Sequence, residues 1–306
     1  MKYEADQAQK PSLAFKETRA LTDIYTVEAR SLLNKATGFM NAYDFTLNPY
    51  RGCQYGCSYC YAAAFSRDSQ ARQNWGNWVV IKVNAVNLLK QELARWQKKH
   101  DAPPRIYMSS VTDPYQPIEK QQQLTRQLLI AMLPYQPILV IQTRSPAIVR
   151  DLDVLQQFER LRINLSIPTG SEAVRKDFEP KSPSITSRLQ TINKLRYNLA
   201  SNHRHQIRFS VTITPLLPTF LKDREKFFVR LIGVDRIVLQ EFHPARKNSL
   251  IASTRNQAIA LKQKYIWWYG NEAENYRQFK QSLQEQITAW SLDTEILEGK
   301  AGFGYD

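Results

Sequence analysis

Three cysteines, Cys53, Cys57 and Cys60, fall within eight positions in the stretch NPYRGCQYGCSYCYAAA (residues 48–64), and the rest of the 306-residue chain contains none. A core cysteine behaves as a small hydrophobe and has no reason to cluster with others. A disulfide framework wants an even count spread over several loops. The loop therefore reads as a metal site. Thiolates are soft ligands for zinc, copper(I) and iron–sulfur clusters. A closed zinc site takes four ligands, typically as two C-x2-C pairs, whereas the spacing here is C-x3-C-x2-C with no second pair. A histidine from afar, His100, His203, His205 or His243, is the remaining way to complete zinc. The spacing fits a four-iron cluster with three protein ligands and one iron left open. Gly52 and Gly56 lie inside the loop, where positive φ and close backbone approach serve folding around an inorganic centre.

The chain around this loop alternates two kinds of segment. Residues 1–40 are weakly patterned, with one helix expected from Ile24 to Asn34, and read as an N-terminal arm. The apolar run Tyr43 to Leu47 is a strand leading directly into the loop. Beyond it come a helix from Leu88 to Lys98, a strand from Arg105 to Ser110, a helix from Gln121 to Leu133 and a strand from Pro137 to Gln142. A helix from Ala147 to Arg160, a strand from Arg162 to Ile167, and helices at Glu172 to Phe178 and Ser184 to Leu199 follow. A strand from Gln206 to Thr214, a helix from Asp223 to Ile232 and a strand from Arg236 to Gln240 end the series. Strands separated by helix-length segments make βαβ units and a parallel sheet. Six in series suit a partial barrel or a doubly wound sheet, and pattern alone does not choose between them. Residues 254–285 read as helical, with Tyr265, Trp267, Trp268 and Tyr269 expected to bury against the α/β unit rather than to stack on bases. The last twenty residues carry no readable pattern.

The segments after the strands are the informative ones: SSVTDPYQP, TRSP, PTG and TP. Ligands of barrel and open α/β folds bind at the C-terminal ends of the strands. Because the cysteine loop also follows a strand, all of these are expected at one mouth. The net charge of +14, with an isoelectric point near 9.6, favours nucleic acid or another phosphate-rich partner. The surplus is spread along the chain rather than gathered in a tail. There is no run of eighteen apolar residues, so no membrane helix is expected. The start, MKYEADQAQKPSLAFKE, lacks the apolar region of a secretory signal. With reduced thiols, that points to the cytoplasm.

Cys53, Cys57, Tyr59 and Cys60, as C-x3-C-x2-C with an aromatic before the last cysteine, resemble the signature of radical S-adenosylmethionine enzymes. A narrower resemblance runs from about Ser31 to Pro218. SLLNK, NPYRGCQYGCSYCYA, SSVTDPYQP, TRSP and FEPKSPS are similar to the subgroup related to spore photoproduct lyase, often described as DNA repair photolyase-like. It implies an α/β fold: a partial (βα)6-type barrel of parallel strands over residues 41–245, with an arm at 1–40 and a helical C-terminal extension at 246–306. It also implies a [4Fe-4S] cluster on Cys53, Cys57 and Cys60 and S-adenosyl-L-methionine on the open iron. Reductive cleavage of that cofactor gives a 5′-deoxyadenosyl radical that abstracts hydrogen from a substrate. Thr112, Arg144 and Ser166, with Tyr59 and Asp113 beside them, are the implied cofactor-binding residues. Asp113 has a second reading as the cap of the following turn. The resemblance further implies a reducing partner such as a flavodoxin or ferredoxin.

One departure matters. The lyase returns a hydrogen atom to its product from an additional cysteine, and Ser110 stands at that position here. No fourth cysteine exists, so repair by the same route is not expected. Tyr107 and Tyr115 are the nearby phenols, and Glu179 in FEPKSPS is either a cofactor contact or a partner of a basic residue. The substrate expected from charge and resemblance is nucleic acid. The alternatives are the same radical chemistry on a peptide or small metabolite, and a zinc-stabilised nucleic-acid-binding protein without catalysis.

Overall fold

The computed structural model describes residues 13–19, 22–199, 206–242 and 255–306. Among these residues twelve strands build two sheets. In chain order they are β1 (Ala14–Arg19), β2 (Thr22–Val27), β3 (Leu33–Lys35), β4 (Phe45–Leu47), β5 (Tyr50–Arg51) and β6 (Trp78–Lys82). Then come β7 (Arg105–Met108), β8 (Ile138–Thr143), β9 (Arg160–Ser166), β10 (Gln206–Ile213), β11 (Arg236–Leu239) and β12 (Glu295–Glu298). The larger sheet has the order β12-β11-β10-β9-β8-β7-β4-β3. From β4 to β11 every pairing is parallel, which is the six-stranded series of a partial barrel. β12 adds a further parallel strand at one edge, and β3 pairs antiparallel with β4 at the other.

Side chains alternate strictly along the central strands, because successive strand residues face opposite sides of a sheet. Leu161, Ile163 and Phe209 point outward into a core shared with the helices Ala85–Gln97 and Leu124–Met132. Leu165, Val211 and Ile213 do the same beneath Ile185–Leu199, Leu221–Val229 and Glu272–Ala289. The alternate residues, Arg162, Asn164, Ser166, Ser210 and Thr212, are buried polar groups on the inward face. The outward face thus holds the helices on, and the inward face lines a lumen.

The sheet does not close edge to edge. Phe39, just beyond β3, and Phe303, just beyond β12, meet with ring centroids 5.4 Å apart and bridge the two edges. Residues 299–306 cross the N-terminal ends of the strands and are held there through their backbone carbonyls. Arg236 donates to the carbonyls of Gly304 (2.9 Å) and Asp306, Arg162 to that of Tyr305 (2.7 Å), and the Tyr43 hydroxyl to that of Phe303. The stretch that looked patternless is therefore the floor of the barrel.

The helix expected from Ile24 to Asn34 does not form. TDIYTV alternates, with Ile24 fully buried, and β2 pairs antiparallel with β1 and parallel with β6. β6, the apolar run WVVIK, ties this small sheet to β5 at the start of the cysteine loop. The helix expected from Ala147 to Arg160 is a 3-10 turn at Pro146–Asp151, a short α-helix at Leu152–Leu155 and then the start of β9. In the C-terminal extension Tyr265 and Trp268 are buried, as expected, whereas Trp267 is 46% exposed.

Candidate active site

The cysteine loop leaves β5 and is set by close backbone approach. Gly52 has φ +82, and a Cβ there would stand 2.6 Å from the Trp78 carbonyl oxygen. Gly56 has φ +57, and a Cβ there would stand 2.9 Å from the Gly76 Cα. Only glycine meets both demands, the left-handed backbone and the missing side chain.

The DPYQP segment after β7 staples the loop in place. The Thr112 hydroxyl donates to the Gly52 carbonyl at 2.6 Å, the Gln54 N–H to Gln116 Oε1 at 2.8 Å, and the Ile118 N–H to Gln54 Oε1 at 2.6 Å. Tyr55 donates its hydroxyl to the Tyr115 carbonyl at 3.1 Å. Tyr115 itself is a buried packing residue. From the other side Arg255 donates to the Cys57 carbonyl and the Ser58 N–H to the Phe178 carbonyl at 2.9 Å. The C-terminal extension thus covers the back of the loop.

All eight residues expected at the site, Cys53, Cys57, Cys60, Tyr59, Thr112, Asp113, Arg144 and Ser166, line one cavity of about 740 Å³ at the C-terminal end of the barrel. The cavity runs down the lumen past Tyr107 and Gln142 to Phe303. Arg144 is the hub of its polar wall. Its Nη1 lies 2.9 Å from Cys57 Sγ and 3.1 Å from the Tyr59 hydroxyl, and it pairs with Glu179. Glu179 is fully buried and also takes hydrogen bonds from Tyr59 and, at 2.6 Å, from Arg188, which is equally buried. Burial opposes the Glu179 charge, but Arg188 and Arg144 outweigh it and hold the carboxyl below the usual range. Burial likewise opposes the Arg144 charge, and Cys57, Tyr59 and Glu179 outweigh it, so the guanidinium stays charged. Of the two roles considered for Glu179, the basic partner is the one formed.

Asp113 accepts from Thr143 Oγ1 at 2.7 Å, the Tyr115 N–H at 2.9 Å and the Arg144 N–H at 2.9 Å. It caps its own turn and fastens the ends of β7 and β8 to each other. Its side chain therefore sets where Arg144 emerges. Sequence reasoning did not single out Arg188 or Arg255 beneath the loop, nor Gln142 and Ser109 on the lumen wall. Tyr107 proves to line the cavity, its hydroxyl donating to Gln142 Oε1 at 2.9 Å, with Gln142 Nε2 in turn 2.8 Å from Thr212 Oγ1. Arg188 was beyond motif reading because it sits within the helix Ile185–Leu199 and only folding brings it to Glu179. His203, His205 and His243 lie outside the described residues, and His100 stacks on Trp96 at 3.7 Å without lining the cavity.

The thiols suit a cluster in donor chemistry and placement. All three are free and face the cavity. Burial pushes each thiol up, Cys57 to about 12, against the pull of Arg144. Deprotonation is therefore coupled to metal binding. Among the described residues no three His, Cys, Asp or Glu side chains gather closely enough to hold a single ion. Ligands spread around a space, each for a different iron, are what a polynuclear centre asks for.

Comparison with known proteins gives the chain a family. Residues 47–231 match the family model of the Radical SAM superfamily. An uncharacterized protein of Methanocaldococcus jannaschii is 36% identical over 177 residues, covering 58% of this chain and 62% of that one. An uncharacterized protein of Mycobacterium tuberculosis is 26% identical over 217 residues, covering 68% of this chain and 60% of that one. The chain thus spans about six-tenths of the length of these curated relatives. Among solved structures, spore photoproduct lyase complexed with dinucleoside spore photoproduct superposes with a TM-score of 0.59 at 15% identity, over 90% of this chain and 82% of that one. SuiB of Streptococcus suis bound to S-adenosylmethionine gives a TM-score of 0.53 at 10% identity, over 83% and 49% of the two chains. Likeness at such low identity speaks for the fold, and the family match over most of the barrel speaks for descent: this chain belongs to the radical SAM superfamily.

Proposed function

We propose that this protein is a radical SAM enzyme acting on a base of nucleic acid that is single-stranded or swung out of its stack. The cofactors of the superfamily are a [4Fe-4S] cluster and S-adenosylmethionine, and the site carries residues for both. Cys53, Cys57 and Cys60 would hold the cluster. Arg144, Thr112, Ser166 and Tyr59 would bind and orient S-adenosylmethionine, with Asp113 fixing the backbone from which Arg144 projects. Bound there, the pair supplies a carbon-centred radical able to take a hydrogen atom from an unactivated C–H bond. The protein's own part is to seat the reacting carbon beside it and keep water out.

The observation that carries the substrate reading is the rim of the cavity. Tyr61 and Phe65, packed edge to face just past Cys60, line it while remaining 42% and 52% exposed, and Phe39, 42% exposed, lines the far end against Phe303. Large rings left in water beside a cavity mark an interaction site, and aromatic platforms next to positive charge suit unstacked bases. Lys35, exposed on the same wall, and a chain charge of +14 supply the attraction for phosphate. The dinucleoside spore photoproduct bound to spore photoproduct lyase is in keeping with a base in such a barrel. Return of a hydrogen atom from a cysteine is closed to this chain, since its three cysteines are the proposed iron ligands. Besides Tyr59, Tyr61, whose hydroxyl donates to the Ser110 carbonyl, and Tyr107 are phenols that line the cavity. The reducing partner would be a flavodoxin or ferredoxin, and the site of action the cytoplasm. No described helix is long and apolar enough to cross a membrane.

Anaerobic reconstitution with iron and sulfide, reduction, and assay of 5′-deoxyadenosine test the chemistry. Fluorescence anisotropy with labelled single-stranded DNA across a salt series tests the substrate. Affinity that falls steeply with salt supports the reading. Cofactor cleavage without any nucleic-acid binding moves the substrate to a peptide or small metabolite.

A further inference from the structure

At Ser109, immediately after β7, the backbone turns to φ +74. Residues with a Cβ are seldom held in that region, and where they are, the surroundings enforce it. Here the Ser109 N–H donates to the Leu47 carbonyl at 2.7 Å, which locks the turned peptide to the neighbouring strand β4. The turn leaves the side chain on the cavity wall. The residue is 2% exposed, and its hydroxyl has no hydrogen-bond partner among the described residues. A buried hydroxyl without a partner is uncommon enough to need a cause, and a group that enters the cavity supplies one.

The rest of the wall says what kind of group. Below Ser109 the lumen carries the uncharged Tyr107, Gln142, Thr212 and Asn164, with Arg162 deeper and committed to Ser210 and the Tyr305 carbonyl, and both carboxamide atoms of the fully buried Asn164 lack partners among the described residues. Of the charged residues on the wall, Asp113 is committed to three donors of its own chain and Arg144 to Glu179 and Tyr59. Lys35, opposite the start of β4, and Glu241, just past β11, are both exposed. A ligand reaching the lumen thus meets neutral donors and acceptors and leaves its phosphates outside. Ser109 follows β7, beside β4, one and two strands from Arg144 after β8 and Ser166 at the end of β9, and of the proposed cofactor residues Thr112 shares its strand end, with its hydroxyl already given to the Gly52 carbonyl.

We propose that Ser109 is a substrate-binding residue, its hydroxyl hydrogen-bonding a polar atom of an uncharged ring, a nucleobase, seated between the neutral lumen and the cysteine loop. This deepens the nucleic-acid reading and rests on it. The test compares wild-type holoenzyme with Ser109→Gly, which removes the hydroxyl while suiting the positive φ, so folding is protected. The readouts are iron content, S-adenosylmethionine affinity by equilibrium dialysis, and anisotropy with four labelled single-stranded homo-oligonucleotides of dA, dC, dG or dT. The expected result is unchanged iron and cofactor affinity, with binding of at least one oligonucleotide weakened about three- to tenfold, the worth of one hydrogen bond. Equal binding of all four by the two proteins overturns the assignment and leaves the nucleic-acid reading standing. A parallel loss of S-adenosylmethionine affinity also overturns it, by placing the hydroxyl on the cofactor. If wild type binds none of the four, the nucleic-acid reading falls and takes this assignment with it.

Discussion

The outward face of β9 and β10 presents Leu161, Ile163, Leu165, Phe209, Val211 and Ile213 to the helices, whereas the inward face of the same strands presents Arg162, Asn164, Ser166, Ser210 and Thr212 to the lumen. A closed barrel of eight strands normally fills its interior with branched apolar side chains. This sheet is open, and branched apolar side chains such as Ile138, Val140 and Val238 are gathered with Phe303 while β9 and β10 present polar residues inward, and a cavity of about 740 Å³ remains. The contrast separates two jobs that a uniformly apolar sheet would merge. Substitutions on one face should cost stability, and substitutions on the other should cost binding and chemistry.

The sharpest way to break that division is at the cavity. Cys57→Ala is expected to abolish iron loading and 5′-deoxyadenosine formation, while the unfolding free energy of the cluster-free protein changes by no more than about 1 kcal/mol. Iron analysis and urea unfolding check the two halves. A large loss of stability would show that the loop carries the fold as well as the site.

Glu179 lies where the two jobs meet, and Glu179→Gln should cost about 3–5 kcal/mol, because Arg188 is left buried without its counter-charge. The effect depends on pH in a definite sense. Arg188 and Arg144 hold the native carboxyl below its unfolded pKa against the opposing effect of burial. Its contribution is therefore fully present above the unfolded value and lost as pH falls through the native one. Urea midpoints of wild type and variant should converge on acidification. A gap that stays constant would mean the carboxylate is not the source.

On the outward face, Ile163→Ala removes a side chain that is 1% exposed and should cost about 2–4 kcal/mol. Cofactor binding measured below the unfolding transition should be unchanged. The smallest effect belongs to Thr212→Val on the lumen face. It removes the acceptor of the Gln142 amide and should cost about 1 kcal/mol of stability. A larger loss there than at Ile163 would reverse the assignment of the two faces.

Much of this was legible before folding. The donor set at Cys53, Cys57 and Cys60, the six parallel strands, and the convergence of SSVTDPYQP and TRSP on the cysteine loop follow from spacing and alternation. The misread helix at Ile24 to Asn34 has a local cause. TDIYTV is short enough to suit either period, and only pairing with the distant β6 settles it as a strand. The floor of the barrel was invisible for a different reason. Residues 299–306 are recognised by Arg162 and Arg236 through backbone carbonyls, which every residue has, so no side-chain pattern marks them.

Sequence by itself determined which atoms can bind metal and which face of each strand is apolar, because ligand chemistry and the two-residue strand period are local properties. The tertiary structure decided the rest. Arg144 reaches Cys57 across 87 positions and Glu179 meets Arg188 and Tyr59 from separate elements. Ser109 takes a backbone angle that no serine prefers because the Leu47 carbonyl on the next strand holds it there. Burial, counter-charges and enforced backbone angles arise only when distant segments share one lumen.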